Sequence, residues 1–265
     1  MINKLIEEKK INPNKSKIIE SSSGNLGVAL SIVCKSLHLP FICVVDPNIN
    51  PQNINLMRLY GAEIVCVTEK DSNGGYLSTR IRTIQQMLSS YPDLIWTNQY
   101  ENLYNVQSHY VTAQEIAIQF KKLDYLFIGV GTSGTLMGCL EYFRLHHPKT
   151  KIVAVDAEGS VSFGTLPKTR KIPGLGTSRK PPILDISKVK NIIHVSETDT
   201  IVACQELLTI SGLFVGGSTG TVVAAIKNYR QQFKNNDIIV GISPDFGNAY
   251  INTIYNESWI KANIQ

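Results

Sequence analysis

The sequence predicts an α/β protein built on two open, twisted, mostly parallel sheets with helices on both faces. Three observations carry that prediction. Strand-length apolar runs alternate with longer segments of helical period. Two strand-to-helix junctions, Ser21-Ser22-Ser23-Gly24-Asn25 and Gly131-Thr132-Ser133-Gly134-Thr135, concentrate glycine and hydroxyl side chains. The 265 residues, 43% hydrophobic and 18% charged, supply enough apolar surface for one large or two smaller cores.

Taken in chain order, residues 1–10 read as a Lys/Glu-rich helix with no apolar stretch long enough for a signal peptide or a membrane span. Lys17-Ile18-Ile19 begins a strand that leads into a helix over 26–37. A strand over 41–45 is followed by a helix over 51–60, and a strand over 63–67 by a helix over 75–88. The second half repeats the pattern: a strand over 125–130, the Gly131 loop, a helix through Phe143, and strands over 152–155 and 191–195. A helix over 198–208 and a last apolar strand over 237–242 complete it. Strand–helix–strand repetition means parallel pairing, with crossover helices covering the sheet faces. Residues 158–187 fit neither period. With four prolines, four glycines and five basic residues, they read as either a mobile cover near a site or a surface excursion.

Composition narrows the function classes. The formal charge of +5 comes from scattered lysines without basic–aromatic alternation, which describes a solvated surface and not a nucleic-acid interface. The five cysteines, Cys34, Cys43, Cys66, Cys139 and Cys204, show no CxxC spacing. Buried thiols, a reducing cytoplasmic setting and no metal are expected.

The two junctions carry the chemistry. The first N–H groups of a helix are unsatisfied and lie at the positive end of its dipole, so a carboxylate or phosphate binds there, helped by Ser and Thr hydroxyls. Two such junctions suggest a ligand with two anionic groups. Gly129-Val130-Gly131-Thr132-Ser133-Gly134 also fits the dinucleotide fingerprint, with Asp156 about 20 residues on as a ribose-binding acid. A bare turn and another phosphate ligand fit the same stretch. The first junction reads equally as an elaborate helix cap. Chemistry with pyridoxal 5′-phosphate (PLP) employs both junctions, one for the cofactor phosphate and one for an amino-acid carboxylate.

Five motifs then stand in register: Glu20-Ser21-Ser22-Ser23-Gly24-Asn25-Leu26-Gly27, Gly129 to Thr135, Gly174-Leu175-Gly176, Gly216-Gly217-Ser218-Thr219-Gly220 and Pro244-Asp245-Phe246-Gly247. In this order they resemble the cysteine synthase family of fold-type II PLP enzymes, the tryptophan-synthase-β-like architecture. Val44-Val45-Asp46-Pro47, Gly74 to Arg80 and Asn98-Gln99-Tyr100 look most like members that join O-phospho-L-serine to L-glutamate for siderophore precursors. Sulfide-using cysteine synthases and ligand-binding relatives without turnover are the alternatives.

The resemblance implies roles residue by residue. Gly131, Thr132, Ser133, Gly134 and Thr135 would hold the PLP phosphate and Asn25 the ring oxygen. Ser22, Ser23 and Gln99 would hold the substrate carboxylate. Arg80, Tyr100 and Ser133 would recognise the phosphoserine phosphate or the carboxylates of the second substrate. Either Ser243 or Asp245 would stand at the pyridine nitrogen, and the choice stays open. The resemblance further implies a homodimer acting on small amino acids, with a smaller domain over 18–115 and a larger PLP-binding domain over 1–17 and 116–265. The family's lysine lies in a Ser-x-Lys-Asp-Arg-like segment with no counterpart here. The match places it upstream of Met1, with the fold's first strands, so an N-terminally truncated chain, inactive as it stands for want of that lysine, is expected; Lys4, Lys9 and Lys10 lie on the helix that follows it.

Overall fold

The computed structural model describes residues 1–72 and 74–264. The chain divides into two compact units, Met1–Tyr104 and Asn105–Gln265.

In the first unit, α1 (Ile2–Glu7), β1 (Lys17–Ser21), α2 (Asn25–Ser36), β2 (Phe41–Val45), α3 (Pro51–Leu59), β3 (Glu63–Cys66), α4 (Leu77–Ser90) and β4 (Leu94–Trp96) follow one another. The strands form one sheet in the order β3-β2-β1-β4, every pair parallel. Alternate strand residues point to opposite faces. Ile18, Phe41, Cys43 and Val45 therefore meet α1, α2 and α3 through Leu5, Leu30, Cys34 and Met57. Ile19, Ile42 and Val44 meet α4 through Ile84. The N-terminal helix belongs to this packing: Ile2, Leu5 and Ile11 are buried in the same cluster as Ile18, so residues 1–17 pack with the first unit. Asn50 starts α3 by accepting the Gln52 N–H, with Pro51 at the first helical position.

Helix α5 (Leu103–Gln119) leads into β5 (Tyr125–Gly129), α6 (Gly134–His146), β6 (Lys151–Ala157), β7 (Asn191–Val195), α7 (Glu197–Ser211), α8 (Gly217–Tyr229), β8 (Ile239–Gly241) and α9 (Glu257–Asn263). Here too the sheet is parallel throughout, in the order β7-β6-β5-β8. Leu126, Ile128, Ile152 and Ala154 pack on Ala113, Leu136 and Met137 of α5 and α6. Tyr125, Phe127, Val153 and Val155 pack on Ala203, Val222 and Ala225 of α7 and α8. Sheets covered on both faces are what continuous apolar strands demand.

Cys34, Cys43, Cys139 and Cys204 are buried, and burial pushes their thiols up, to about 12 for the first three and about 11 for Cys204. Cys66 departs from the expectation and is exposed, because β3 is an edge strand and only partly covered. Among the described residues no helix is long and apolar enough to cross a membrane, and no His, Cys, Asp and Glu cluster suits a metal.

Candidate functional site

Each sheet has a point at which the direction of winding reverses. In the first unit the chain runs from β1 to β2 and β3 on one side and returns to β4 on the other. In the second it runs from β5 to β6 and β7, then places β8 on the far side of β5. Loops leaving the carboxyl ends of the two strands at such a point diverge and leave a crevice for ligands. The expected site residues fall at these two points, except Arg80, which lies on α4.

In the first unit the loop after β1 carries Ser22 and Ser23 and leads into Asn25 at the first position of α2, and the loop after β4 carries Gln99 and Tyr100. Glu20 joins the two. It is fully buried, and its carboxyl oxygens accept from Ser21 N–H at 2.7 Å, Trp96 Nε1 at 3.1 Å, Thr97 Oγ1 at 2.5 Å and Gln99 N–H at 3.0 Å. Burial pushes its carboxyl above the usual range, and these donors oppose the shift. Gln99 Nε2 in turn donates to the Ser21 carbonyl at 2.9 Å. Ser22 Oγ accepts the N–H of Gly27 at 3.1 Å and of Gly24 at 3.4 Å, which leaves its own proton to donate. Ser23 Oγ donates to Asp46 Oδ2 at 2.8 Å and accepts from Arg80 Nη1 at 3.0 Å. Arg80, on the first turn of α4, pairs with Asp46 at 3.3 Å. No side chain caps α2 from its Gly24 N-cap position. The approach of α2 to the sheet requires Gly27, since a Cβ there would lie 2.9 Å from the Ser22 carbonyl and 2.4 Å from Met57.

In the second unit, Ser133 turns the chain into α6 with φ of 74°, and its side chain makes no capping bond. It is 3% exposed, and its hydroxyl has no hydrogen-bond partner among the described residues. The neighbouring hydroxyls are held. Asn105 Nδ2 donates to Thr132 Oγ1 at 3.2 Å, and Thr135 Oγ1 lies 3.2 Å from His109 Nε2. Burial lowers the tendency of His109 to take a proton. At Gly131 an added Cβ would meet nothing nearer than the Gly174 carbonyl at 3.6 Å, whereas at Gly134 it would strike Asn105 Oδ1 at 2.3 Å. After β8, Ser243 Oγ lies 2.8 Å from Thr219 Oγ1. Asp245 accepts from Ser218 Oγ at 3.3 Å and Tyr250 OH at 3.2 Å. Burial, then the Asp245 charge, pushes the Tyr250 hydroxyl well above the usual phenol range.

Two other expectations meet firm geometry. Asp156 is fully buried and accepts the Ala157 N–H at 2.9 Å, a poor position for an acid meant to reach a ribose. The stretch around Gly174-Leu175-Gly176 is tied down: Gly176 N–H donates to the Val130 carbonyl at 2.8 Å and Arg170 Nη1 to the Leu175 carbonyl at 2.9 Å. Sequence reading gave no role to Glu20, Asp46, Asn105, His109 or Tyr250. Asp46 and Glu20 had signals, each being an acid at the carboxyl end of an apolar strand; Asn105, His109 and Tyr250 had none.

The family whose pattern matches residues 1–245 is described as "Pyridoxal-phosphate dependent enzyme". Among solved structures, the chain is similar to the O-acetylserine dependent cystathionine beta-synthase from Helicobacter pylori, with 28% identity, 96% of this chain and 83% of that chain covered, and a TM-score of 0.89. A hydrogen sulfide-producing enzyme from Fusobacterium nucleatum matches at 28% identity over 97% of this chain and 78% of that one, with a TM-score of 0.87. An O-ureido-L-serine synthase, 24% identical over 100% of this chain and 81% of that one, shares the fold with a TM-score of 0.87.

Proposed function

The chain belongs to the pyridoxal-phosphate-dependent enzymes, and from that premise we propose that its residues serve β-replacement on O-phospho-L-serine with L-glutamate as the incoming amine, in combination with the family's lysine, which has no counterpart among residues 1–265. The product of that reaction is N-(2-amino-2-carboxyethyl)-L-glutamate, a precursor of 2,3-diaminopropionate in siderophore biosynthesis. In the overall change a bond forms between the glutamate nitrogen and the serine Cβ, the Cβ–O bond breaks, and inorganic phosphate leaves. The supporting observation is the pairing of an unpartnered, buried Ser133 hydroxyl with the uncapped start of α6.

The second-unit residues fit a phosphate. An orphaned hydroxyl, the first-turn N–H groups of α6 and an uncrowded Gly131 are donors and space awaiting an anion. PLP, when bound, supplies an electron sink for charge developing at the substrate α-carbon. Gly131 to Thr135 would hold its phosphate, with Thr132 and Thr135 fixed from behind by Asn105 and His109. Either Ser243, whose hydroxyl lies against Thr219, or Asp245, engaged by Ser218 and Tyr250, would stand at the ring nitrogen; a hydroxyl there suits a neutral ring and a carboxylate a protonated one. The proton of Ser22 would go to the substrate carboxylate, with Gln99 positioned beside it by Glu20.

The test loads the chain with PLP and mixes it with O-phospho-L-serine and either L-glutamate or sulfide, following products by mass. Phosphate release with the glutamate adduct supports the reading. Cysteine from sulfide without any glutamate adduct would replace it with a cysteine synthase. Spectral shifts on adding O-phospho-L-serine, with no product in either arm even when a small primary amine is added in place of the lysine side chain, would mark a ligand-binding protein without turnover.

A further inference from the structure

We propose that Asp46 sets the charge of the first-unit anion site, so that Arg80 serves a carboxylate of an amino-acid ligand and not a phosphate. The inference deepens the proposed function and rests on it for the identity of that ligand.

Arg80 and Asp46 are both largely buried, their side chains 12% and 9% exposed. Asp46 is fixed from its own loop: its backbone N–H donates to Ser23 Oγ at 3.1 Å, and its Oδ1 accepts from Asn48 N–H at 3.0 Å. Ser23 has one hydroxyl proton, and Asp46 Oδ2 takes it at 2.8 Å. The same oxygen pairs with Arg80 Nη1, whose bond to Ser23 Oγ closes the triangle. The strongest donors near this junction therefore face an internal carboxylate.

Arg80 and Asp46 together carry no net charge. Phosphate sites rely on cations whose charge is not already matched, because a dianion brings twice the charge of a carboxylate into a region of low dielectric. Here a phosphate would meet the Asp46 carboxylate at close range, and the repulsion would be double that felt by a carboxylate. One donor of Arg80 is left over: its Nε is buried and without a partner among the described residues. A single N–H suits one carboxylate oxygen.

The experiment measures affinities from thermal melts of the chain saturated with PLP, so that the Gly131–Thr135 loop is not open to the probe, with L-glutamate and inorganic phosphate as separate probes. Arg80→Lys keeps the cation beside Asp46 and loses the Nε–H. It should weaken L-glutamate about tenfold, the scale of one charged hydrogen bond, and leave inorganic phosphate unchanged. Asp46→Asn should tighten inorganic phosphate about tenfold or more, and the gain should vanish in Asp46→Asn/Arg80→Gln. Weaker phosphate binding in Arg80→Lys, or unchanged phosphate affinity in a folded Asp46→Asn, overturns the proposal. If Asp46→Asn does not fold, the Arg80→Lys phosphate result decides alone. If L-glutamate fails to move even the unaltered chain, glutamate as second substrate fails, while the charge rule is still decided by the phosphate arms.

Discussion

The two winding-reversal points differ in how their polar groups are occupied. In the first unit Glu20 takes donors from the loops after β1 and β4, and Asp46 takes those of Ser23 and Arg80, while the Ser21 hydroxyl, Arg80 Nε and Asn98 Oδ1 are buried with no partner among the described residues. After β5, the Ser133 hydroxyl is buried with no partner among the described residues, at the start of a helix with no side-chain cap. An orphaned buried hydroxyl costs free energy in the unliganded fold, and an anion that accepts from it recovers that cost. On the proposed reading an anion supplied from outside would engage the Ser133 hydroxyl, whereas in the first unit the carboxylates of Glu20 and Asp46 already take most of the donors. Equal motif quality in the sequence hides this difference, because serine reads the same whether it caps, pairs or waits.

The largest expected effect breaks the Glu20 network. Glu20→Ala removes the acceptor of four donors, three of them buried and the Trp96 indole partly so. A buried donor left unpaired costs ~1–3 kcal/mol, so a loss of roughly 3 kcal/mol or more is expected. Urea unfolding followed by Trp96 emission reads it directly, since the indole N–H is one of those donors. A midpoint within error of the unaltered chain would mean that the loops after β1 and β4 hold together without this carboxylate.

Ser133→Ala sharpens the comparison from the other side. A Cβ remains at the strained φ of 74°, so the backbone cost is unchanged and only the orphaned hydroxyl goes. Stability should stay level or rise by up to ~1 kcal/mol, while affinity for PLP should fall about tenfold or more, the ~1.5–3 kcal/mol of a hydrogen bond to a charged group. Urea melts and a fluorescence titration with PLP check the two halves separately. Unaltered PLP affinity would remove Ser133 from the phosphate site.

Much of the framework was legible because apolar runs and punctuation are local. The strands over 41–45 and 191–195 were read with the bounds the structure gives, and Asn50-Pro51 marks the start of α3 unaided. β4 is three residues long, too short to show a period. α5 has few buried positions, Val106, Ala113 and Ala117, so its apolar stripe is faint. α8 opens Gly217-Ser218-Thr219-Gly220, residues that read as loop until packing against β5 decides. The allegiance of α1 is invisible in sequence, because a short amphipathic helix does not state which sheet it will cover. At the site, the motif serines were visible, but the acids that engage them from other strands were not: Asp46 is 23 positions from Ser23 and the donors to Glu20 reach 79 positions away. Only the fold brings those together.

The smallest effect concerns pH. Behind the Gly131–Thr135 loop, His109 Nε2 meets Thr135 Oγ1 and its Nδ1 lies 3.5 Å from Thr112 Oγ1. Burial depresses the pKa of this imidazole in the folded chain below its ordinary 6.5. Above about 6.5 both folded and unfolded chains hold it neutral, and it adds no pH dependence. As the pH falls through that value the unfolded chain takes a proton that the folded chain refuses until lower pH, so stability declines with acidification. His109→Gln keeps hydrogen-bonding groups but does not titrate, and its melting temperature should decline less than that of the unaltered chain between pH 7 and pH 5.5. Parallel declines would show that the imidazole behind Thr135 is already accommodated as a cation, and that the loop's hydroxyls are not held by a neutral ring.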